Sequence, residues 1–263
     1  MELVWSSYTF SNLSLEDEIS IAKNYCRYIE LYLKKVNEFL ENNELNDLKI
    51  ILKENSITPI LINHDIKLEV ESFENKDWEE IIKLTKFLNI PYLLVNPGKK
   101  PEWLSFNVAV DVISKNIKNL LSILPENINI VLRIDAFSLI NTFSKAWKMI
   151  KEIPNINFLL DTFHFFISNE DIDVFKEKDL SRIKFIHLKD AENIPKYYLK
   201  ESNQILPGDG VIPLITILSL LKENGFDNYI VPEVKRFEYE KIDPKEFSKI
   251  LFSKTTYIIE QIF

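Results

Sequence analysis

The chain contains three histidines, and each falls at or just past the end of a short apolar run. His64 follows TPILIN, His164 comes three residues after NFLLD, and His187 lies within KFIHL. Carboxylates occupy the same kind of position. Glu30 lies in YIELY, Asp135 closes INIVLRID, Asp161 closes NFLLD and Glu233 sits near the end of NYIVPEV. Asp135, Asp161 and His187 are evenly spaced, 26 residues apart, and Glu233 follows 46 residues later. Three carboxylates and one imidazole meeting at one point form a hard, oxygen-rich donor set, suited to Mn²⁺, Mg²⁺, Co²⁺ or Zn²⁺. Without a cation such carboxylates repel one another, and some hold their protons. A divalent ion removes that conflict and can polarise a bound carbonyl or hydroxyl. Cys26 is the only cysteine, so an intrachain disulfide and a cysteine-based zinc site are both excluded.

The elements that must position these groups alternate along the whole chain. Eight short runs rich in apolar, β-branched and aromatic residues stand at 3–7, 28–32, 58–63, 92–96, 128–135, 157–161, 184–188 and 228–234. Amphipathic stretches with helical spacing separate them, among them LEDEISIAKNYC, LNDLKIILKEN, DWEEIIKLTKFLNI, DVISKNIKNLLSIL and SKAWKMIKEI. Ser14 followed by Asp17 reads as a capping box, and Gly225 as a helix stop. The charged segment 34–43 reads as an additional helix or long loop. Strands separated by helices require crossovers and a parallel sheet. Eight such units in 263 residues predict an α/β protein, one (β/α)8 barrel domain over 1–263, with a doubly wound open sheet as the runner-up.

In a (β/α)8 barrel the site lies at the C-terminal ends of the strands. Side chains alternate along a strand, so Asn157, Leu159 and Asp161 share one face, as do Phe185, His187 and Lys189, and Tyr229, Val231 and Glu233. Phe158, Leu160, Ile186, Leu188 and Ile230, on the opposite faces, are apolar and belong against helices. The polar set is therefore expected to point into the barrel mouth.

The segments LLDTFHFFIS, FIHLKD and LPGDGVIPLITILSLLKENGFDNYIVPEV, with weaker matches at YIEL and LLVNPG, resemble the xylose isomerase-like TIM barrel family of sugar phosphate isomerases and epimerases. Endonuclease IV-type enzymes share that superfamily. The resemblance implies metal ligation by Asp135, Asp161, His187 and Glu233, with His164 touching substrate or metal. It also implies that Asp135 and Glu233 move a proton on and off the carbon beside a carbonyl. The expected function is metal-assisted isomerisation or epimerisation of a small sugar or keto-sugar, free or phosphorylated, with a lyase or dehydratase as a variant.

Two positions depart from the family pattern. Asp135 stands where Glu is usual, one methylene shorter. Arg133 stands where the family has a small residue, and parity sends it inward. An inward guanidinium can pair with Asp135 or Asp161 and take over the cation's role, or clamp a substrate phosphate or carboxylate. A metal-free or non-catalytic barrel is accordingly the alternative reading. His64, His164, Lys189, Arg236 and Glu30 complete the candidate substrate-binding set, and Trp5, Phe10, Trp103, Phe137, Phe163 and Phe165 are candidate pocket walls.

Composition narrows the partners. With 32 Lys+Arg against 40 Asp+Glu the formal charge is -8, and no basic run offsets it, so nucleic acid is not an expected partner. That charge and the few histidines also disfavour an endonuclease IV-like phosphodiesterase, whose metal cluster needs many histidine ligands. Only 4 glycines rule out a Gly-rich dinucleotide or nucleotide loop. MELVWSSYTF lacks the regions of a signal peptide, and the longest apolar stretch falls short of the ~20 residues that span a bilayer. A cytoplasmic monomer or homo-oligomer, with no membrane partner, is the expectation.

Overall fold

The computed structural model describes residues 1–68, 75–99, 101–150, 153, 156–177 and 180–262. Lys151 and Glu152, the end of the SKAWKMIKEI segment apart from Ile153, lie outside the described residues. Seven strands appear first: β1 (Glu2–Ser6), β2 (Tyr28–Tyr32), β3 (Thr58–Asn63), β4 (Tyr92–Val95), β5 (Asn129–Ile134), β6 (Ile156–Asp161) and β7 (Ile183–Leu188). A two-residue antiparallel pair, β8 (Asp190–Ala191) and β9 (Gln204–Ile205), precedes the last strand, β10 (Tyr229–Pro232). The barrel order is β1-β10-β7-β6-β5-β4-β3-β2, and β1 pairs in parallel with both β10 and β2. That closure excludes the open doubly wound sheet.

Helices fill the crossovers. α1 (Leu15–Ala22) starts at Ser14, whose Oγ accepts from the Asp17 amide at 3.2 Å and donates to the Asp17 carboxylate at 2.8 Å. α2 (Leu33–Leu40) is the additional helix expected within 34–43, and α3 (Leu45–Glu54) completes that crossover. α4 (Asn75–Leu88), α5 (Phe106–Ile123) and α6 (Phe143–Ile150) follow, then the short α7 (Thr162–Ile167) and α8 (Val174–Glu177). α9 (Leu214–Glu223) and α10 (Pro244–Glu260) close the ring. Among the described residues no helix is long and apolar enough to cross a membrane.

Strand parity divides the apolar residues into two cores. Val4, Leu61, Leu94, Val131, Leu159, Phe185 and Val231 fill the barrel interior, with Tyr28, Tyr92 and Tyr229 packed against them. The rings of Phe185 and Tyr229 stack at 5.1 Å, and Tyr92 meets Phe185 edge-on at 5.2 Å. The alternate residues, including Phe158, Leu160, Ile186, Leu188 and Ile230, join the larger core between strands and helices. Interior residues two positions later along the strands form the next layer towards the C-terminal mouth, which makes that layer the place where polar side chains can collect.

Candidate active site at the barrel mouth

Asp161, His187, Lys189 and Glu233 emerge from three adjacent staves, β6, β7 and β10, and all are buried. Asp161 is also the N-cap of α7. Its Oδ1 accepts from the Phe163 and His164 amides at 3.0 and 3.2 Å, which leaves Oδ2 turned into the site. The same cap explains the spacing of D-x-x-H, because the first helical turn carries His164 back over Asp161, Nε2 standing 3.8 Å from Oδ2.

His187 is held from behind. Its Nε2 lies 2.8 Å from Glu30 Oε2, and Glu30 Oε1 accepts from Asn63 Nδ2 at 2.6 Å. This fixes the ring with Nδ1 facing Glu233 Oε1 at 3.3 Å. A carboxylate behind an imidazole is the arrangement that orients a metal-ligating histidine. Glu233 in turn accepts from Ser6 Oγ at 2.9 Å through Oε2.

Lys189 stands between the carboxylates. Its Nζ is 2.8 Å from Glu233 Oε1 and 3.0 Å from Asp161 Oδ2. Thr162 Oγ1 accepts from the Lys189 amide at 3.0 Å and donates to its carbonyl at 2.6 Å, which fixes the backbone beneath it. Arg133 points inward as parity requires and pairs with Asp161, Nη2 to Oδ2 at 3.5 Å, not with Asp135.

The electrostatics follow from these contacts. Burial pushes Asp161 upward, but Lys189, His164, Arg133 and His187 overcome it and hold the carboxyl well below its usual range. Glu233 is likewise driven down against burial by His187 and Lys189. Burial alone would lower His187, and the carboxylates of Glu233 and Glu30 instead raise it to about 9. The anions at the mouth are therefore ionised, and their countercharges come from the chain itself.

Asp135 is placed differently from its expected partners. The strand ends at Ile134 and the chain turns at once, with the Ser138 amide donating to the Asp135 carbonyl at 2.9 Å. The turn carries the Asp135 side chain to the rim, 30% exposed, where it accepts from the Phe137 amide at 2.8 Å and lies 3.3 Å from His164 Nδ1. His164 Nε2 faces Glu201 Oε1 at 3.2 Å, so Asp135, His164 and Glu201 form a second, shallower group.

A cavity of about 350 Å³ opens on both groups. Tyr8, Arg133, Asp135, Phe137, Lys189, Glu201 and Glu233 contribute to its lining. Two candidates lie elsewhere. His64 is buried behind the wall, its Nδ1 accepting from the Ile66 amide at 3.1 Å and its ring edge-on to Trp78; burial lowers it to about 4, so it is a neutral packing residue. Arg236 is locked to Glu192 at 2.6 Å and Glu238 at 2.9 Å, outside this cavity. Of the aromatic candidates only Phe137 lines the cavity; Trp5 and Phe10 stack on each other at 5.0 Å in the outer core, and Trp103 is exposed. Ser6 and Asn63 were not anticipated, although the parity rule extended to β1 and β3 selects both as inward strand-end residues. Glu201 sits in a loop without periodicity, and no sequence signal marks it.

The expected ion site at Asp161, His187 and Glu233 has donor types that suit a divalent ion, and among the described residues the donor atoms lying within 4.8 Å of one another are those of Glu30, His187 and Glu233, and those of Asp135, His164 and Glu201. Asp161 Oδ2 is buried with the Lys189 and Arg133 cations beside it, at 3.0 and 3.5 Å, and His187 Nδ1 is buried with Glu233 Oε1 beside it, at 3.3 Å. The Lys189 ammonium occupies the approach to the two carboxylates such an ion needs, so ion and ammonium compete for them.

A closed parallel barrel with its polar groups gathered at the strand C-termini defines the site of a (β/α)8-barrel enzyme. The chain belongs to the xylose isomerase-like TIM barrel family, whose model matches residues 20–250. It is 28% identical to an inosose isomerase of Halalkalibacterium halodurans, over 97% of this chain and 95% of that one. It is 30% identical to an inosose dehydratase of Clostridium tetani over 36% of each chain. Its fold matches a crystal structure of the IOLI protein with a bound zinc atom, with a TM-score of 0.90, 24% identity, and 100% and 99% of the two chains covered.

Proposed function

We propose that the protein isomerises a small polyhydroxylated ketone of the inosose or keto-sugar class by moving a proton at the carbon beside the carbonyl, and that it does so in the cytoplasm. The observation that carries this reading is the shared cavity walled by Asp135 and Glu233, with Lys189 and Arg133 supplying positive charge to the same lining. Curated relatives named inosose isomerase along nearly the whole chain support the substrate class.

The two carboxylates differ in what they can do. Glu233 is held ionised by His187 and Lys189, which makes it a weak base. Asp135 has one amide hydrogen bond, is partly exposed, and is the freer group to take the C–H proton and return it. As that proton leaves, the bond electrons form the enediol double bond and negative charge develops on the former carbonyl oxygen. That oxygen then takes the proton of the neighbouring hydroxyl, whose oxygen becomes the new carbonyl as Asp135 returns its proton to the former carbonyl carbon. Lys189 and Arg133 supply preorganised positive charge in the same cavity. Loss of a neighbouring hydroxyl from the same intermediate gives the dehydratase variant.

Asp161, His187 and Glu233 are the residues that would hold a divalent ion, with Glu30 orienting His187. When bound, the ion polarises the carbonyl and acidifies the adjacent C–H. A second reading, a barrel that works with its own cations, is favoured by the position of Lys189 Nζ within 3.0 Å of both carboxylates. Elemental analysis of protein purified without chelator separates the two.

The direct test of function is solvent exchange. An inosose and a ketohexose are incubated in D₂O with Mn²⁺-supplied protein and followed by NMR. Deuterium should enter at the carbon beside the ketone of at least one, and Asp135→Asn should slow that entry by ~100-fold or more. No exchange into either ketone overturns the proposal.

A further inference from the structure

Asp190 closes the H-x-K-D segment, is buried, and lies outside the lining of the mouth cavity. Its carboxyl group is spent on backbone amides. Oδ1 accepts from Ala191 and Ile212 at 2.8 and 2.9 Å, and Oδ2 accepts from Gly208 and Gly210 at 3.1 and 2.9 Å. Four donors converge on two oxygens, so the position needs a group that offers acceptors only. The cradle is tight. A Cβ on Gly210 would stand 2.1 Å from the Ala191 carbonyl oxygen and 2.4 Å from Asp190 Oδ1.

These amides flank a long excursion of the chain. Ala191 begins it, and Gly208, Gly210 and Ile212 follow its return, so Asp190 closes the neck of a strap over 192–206. β8 and β9 pair antiparallel across that neck, Asp190 opposite Ile205 and Ala191 opposite Gln204. One step on, the Glu192 amide donates to the Asn203 carbonyl at 3.1 Å, and Asn203 Nδ2 donates to Glu192 Oε2 at 2.7 Å. The far end of the strap rests on α7, with Leu199 buried and Lys196 Nζ 4.0 Å from the centre of the Phe166 ring. Its inner edge walls the cavity through Glu201, Ser202 and Gln204. Gln204, buried in β9, donates through Nε2 to Glu201 Oε2, and Glu201 Oε1 faces His164 Nε2 at 3.2 Å. The other ring nitrogen, Nδ1, lies 3.3 Å from Asp135 Oδ1. An unbroken series of contacts therefore runs from Asp190, through two paired strands, to the proposed base.

We propose that Asp190 is a positioning residue of the active site: by closing the neck of the strap it holds Glu201 on His164, and so fixes the imidazole beside Asp135. The placement of Glu201 stands on these contacts, and its effect on turnover rests on the isomerase reading. Asn cannot replace Asp190, because its NH₂ would face two of the four N–H groups. Opening the neck frees the strap and not the barrel, since β7 and β10 pair with each other independently of it.

The three histidines make NMR a local readout. In the full chain labelled with ¹³C and ¹⁵N at histidine, Glu201→Gln should shift the His164 signal. Asp190→Asn should shift it in the same direction, with the His64 and His187 signals in place. A His164 signal that Asp190→Asn leaves unmoved, or movement of all three signals together, overturns the inference. Should Asp190→Asn fail to fold, native-state hydrogen exchange of the parent chain decides: the Glu192, Gly208, Gly210 and Ile212 amides should open as one unit. A Glu192 amide that exchanges far faster than that of Gly210 shows that the neck does not hold the strap. Deuterium entry into an inosose, slowed ~10–100-fold in Asp190→Asn, is expected when a group beside the base is misplaced by about 1 Å. Entry at the parent rate in that variant sinks the positioning role and leaves the isomerase reading standing. Shifted His164 signals, with no ketone exchanged by the parent chain, do the reverse.

Discussion

Two buried carboxylate–lysine sites lie on either side of the barrel wall, and they behave in opposite ways. Behind the wall, Glu18 of α1 pairs with Lys35 of α2, and Lys35 also donates to the Phe10 and Leu13 carbonyls. At the mouth, Lys189 serves Asp161 and Glu233, with Arg133 and His187 close by. Burial raises Glu18 to about 8 despite its lysine, whereas the two mouth carboxyls are driven well below their ordinary range. One cation whose hydrogens are shared with backbone carbonyls does not offset desolvation; several converging cations do. Of these two sites it is the mouth that keeps its carboxylates ionised in a buried, low-dielectric setting, as proton transfer or ion binding requires.

Removing the shared cation should have the largest effect. Lys189→Met leaves two buried carboxylates without their common partner. Chelator-treated protein should lose about 3 kcal/mol or more in urea denaturation. The same variant should bind Zn²⁺ or Mn²⁺ more tightly by calorimetry, because the competing ammonium is gone. An unchanged denaturation midpoint together with unchanged ion affinity would show that Lys189 is a bystander.

Glu30→Gln acts one step further from the ion. It weakens the hold on His187 Nε2 without touching the three donors, and ion affinity should fall ~10–100-fold. Equal affinity would mean that barrel packing alone orients the ring.

The smallest effect concerns pH. Glu18 is raised, so the folded chain keeps a proton there that the unfolded chain releases. Its contribution to stability is therefore full below about pH 4.5 and declines as pH rises through about 8. Asp161 and Glu233 are depressed, so their contribution is present above the unfolded carboxyl range and is lost as pH falls below it. Glu18→Gln should flatten the stability curve between pH 5 and 8 while leaving the acid limb in place. A flattened acid limb would contradict the assignment.

Much of this arrangement is legible in the chain because strand alternation is a local property. Asp161, His187 and Glu233 end up together, backed by Glu30, since each occupies an inward position at the top of its strand. Arg133 points inward for the same reason. The rule fails where the strand stops: Asp135 has inward parity, but the turn to Ser138 takes it to the rim. It is also silent on loops, so Arg236 pairs with Glu192 across 44 residues, and Glu201 arrives at His164 unannounced.

The sequence by itself determined the eightfold alternation and the inward placement of Arg133, Asp161, His187 and Glu233, because side-chain period and helix spacing are written residue by residue. Tertiary structure alone decided which charges meet. The distances from Lys189 to two carboxylates on neighbouring staves, and the approach of Glu201 to His164, depend on barrel closure and on where the loops run. Coulomb interactions depend on separation in space, which chain order does not encode.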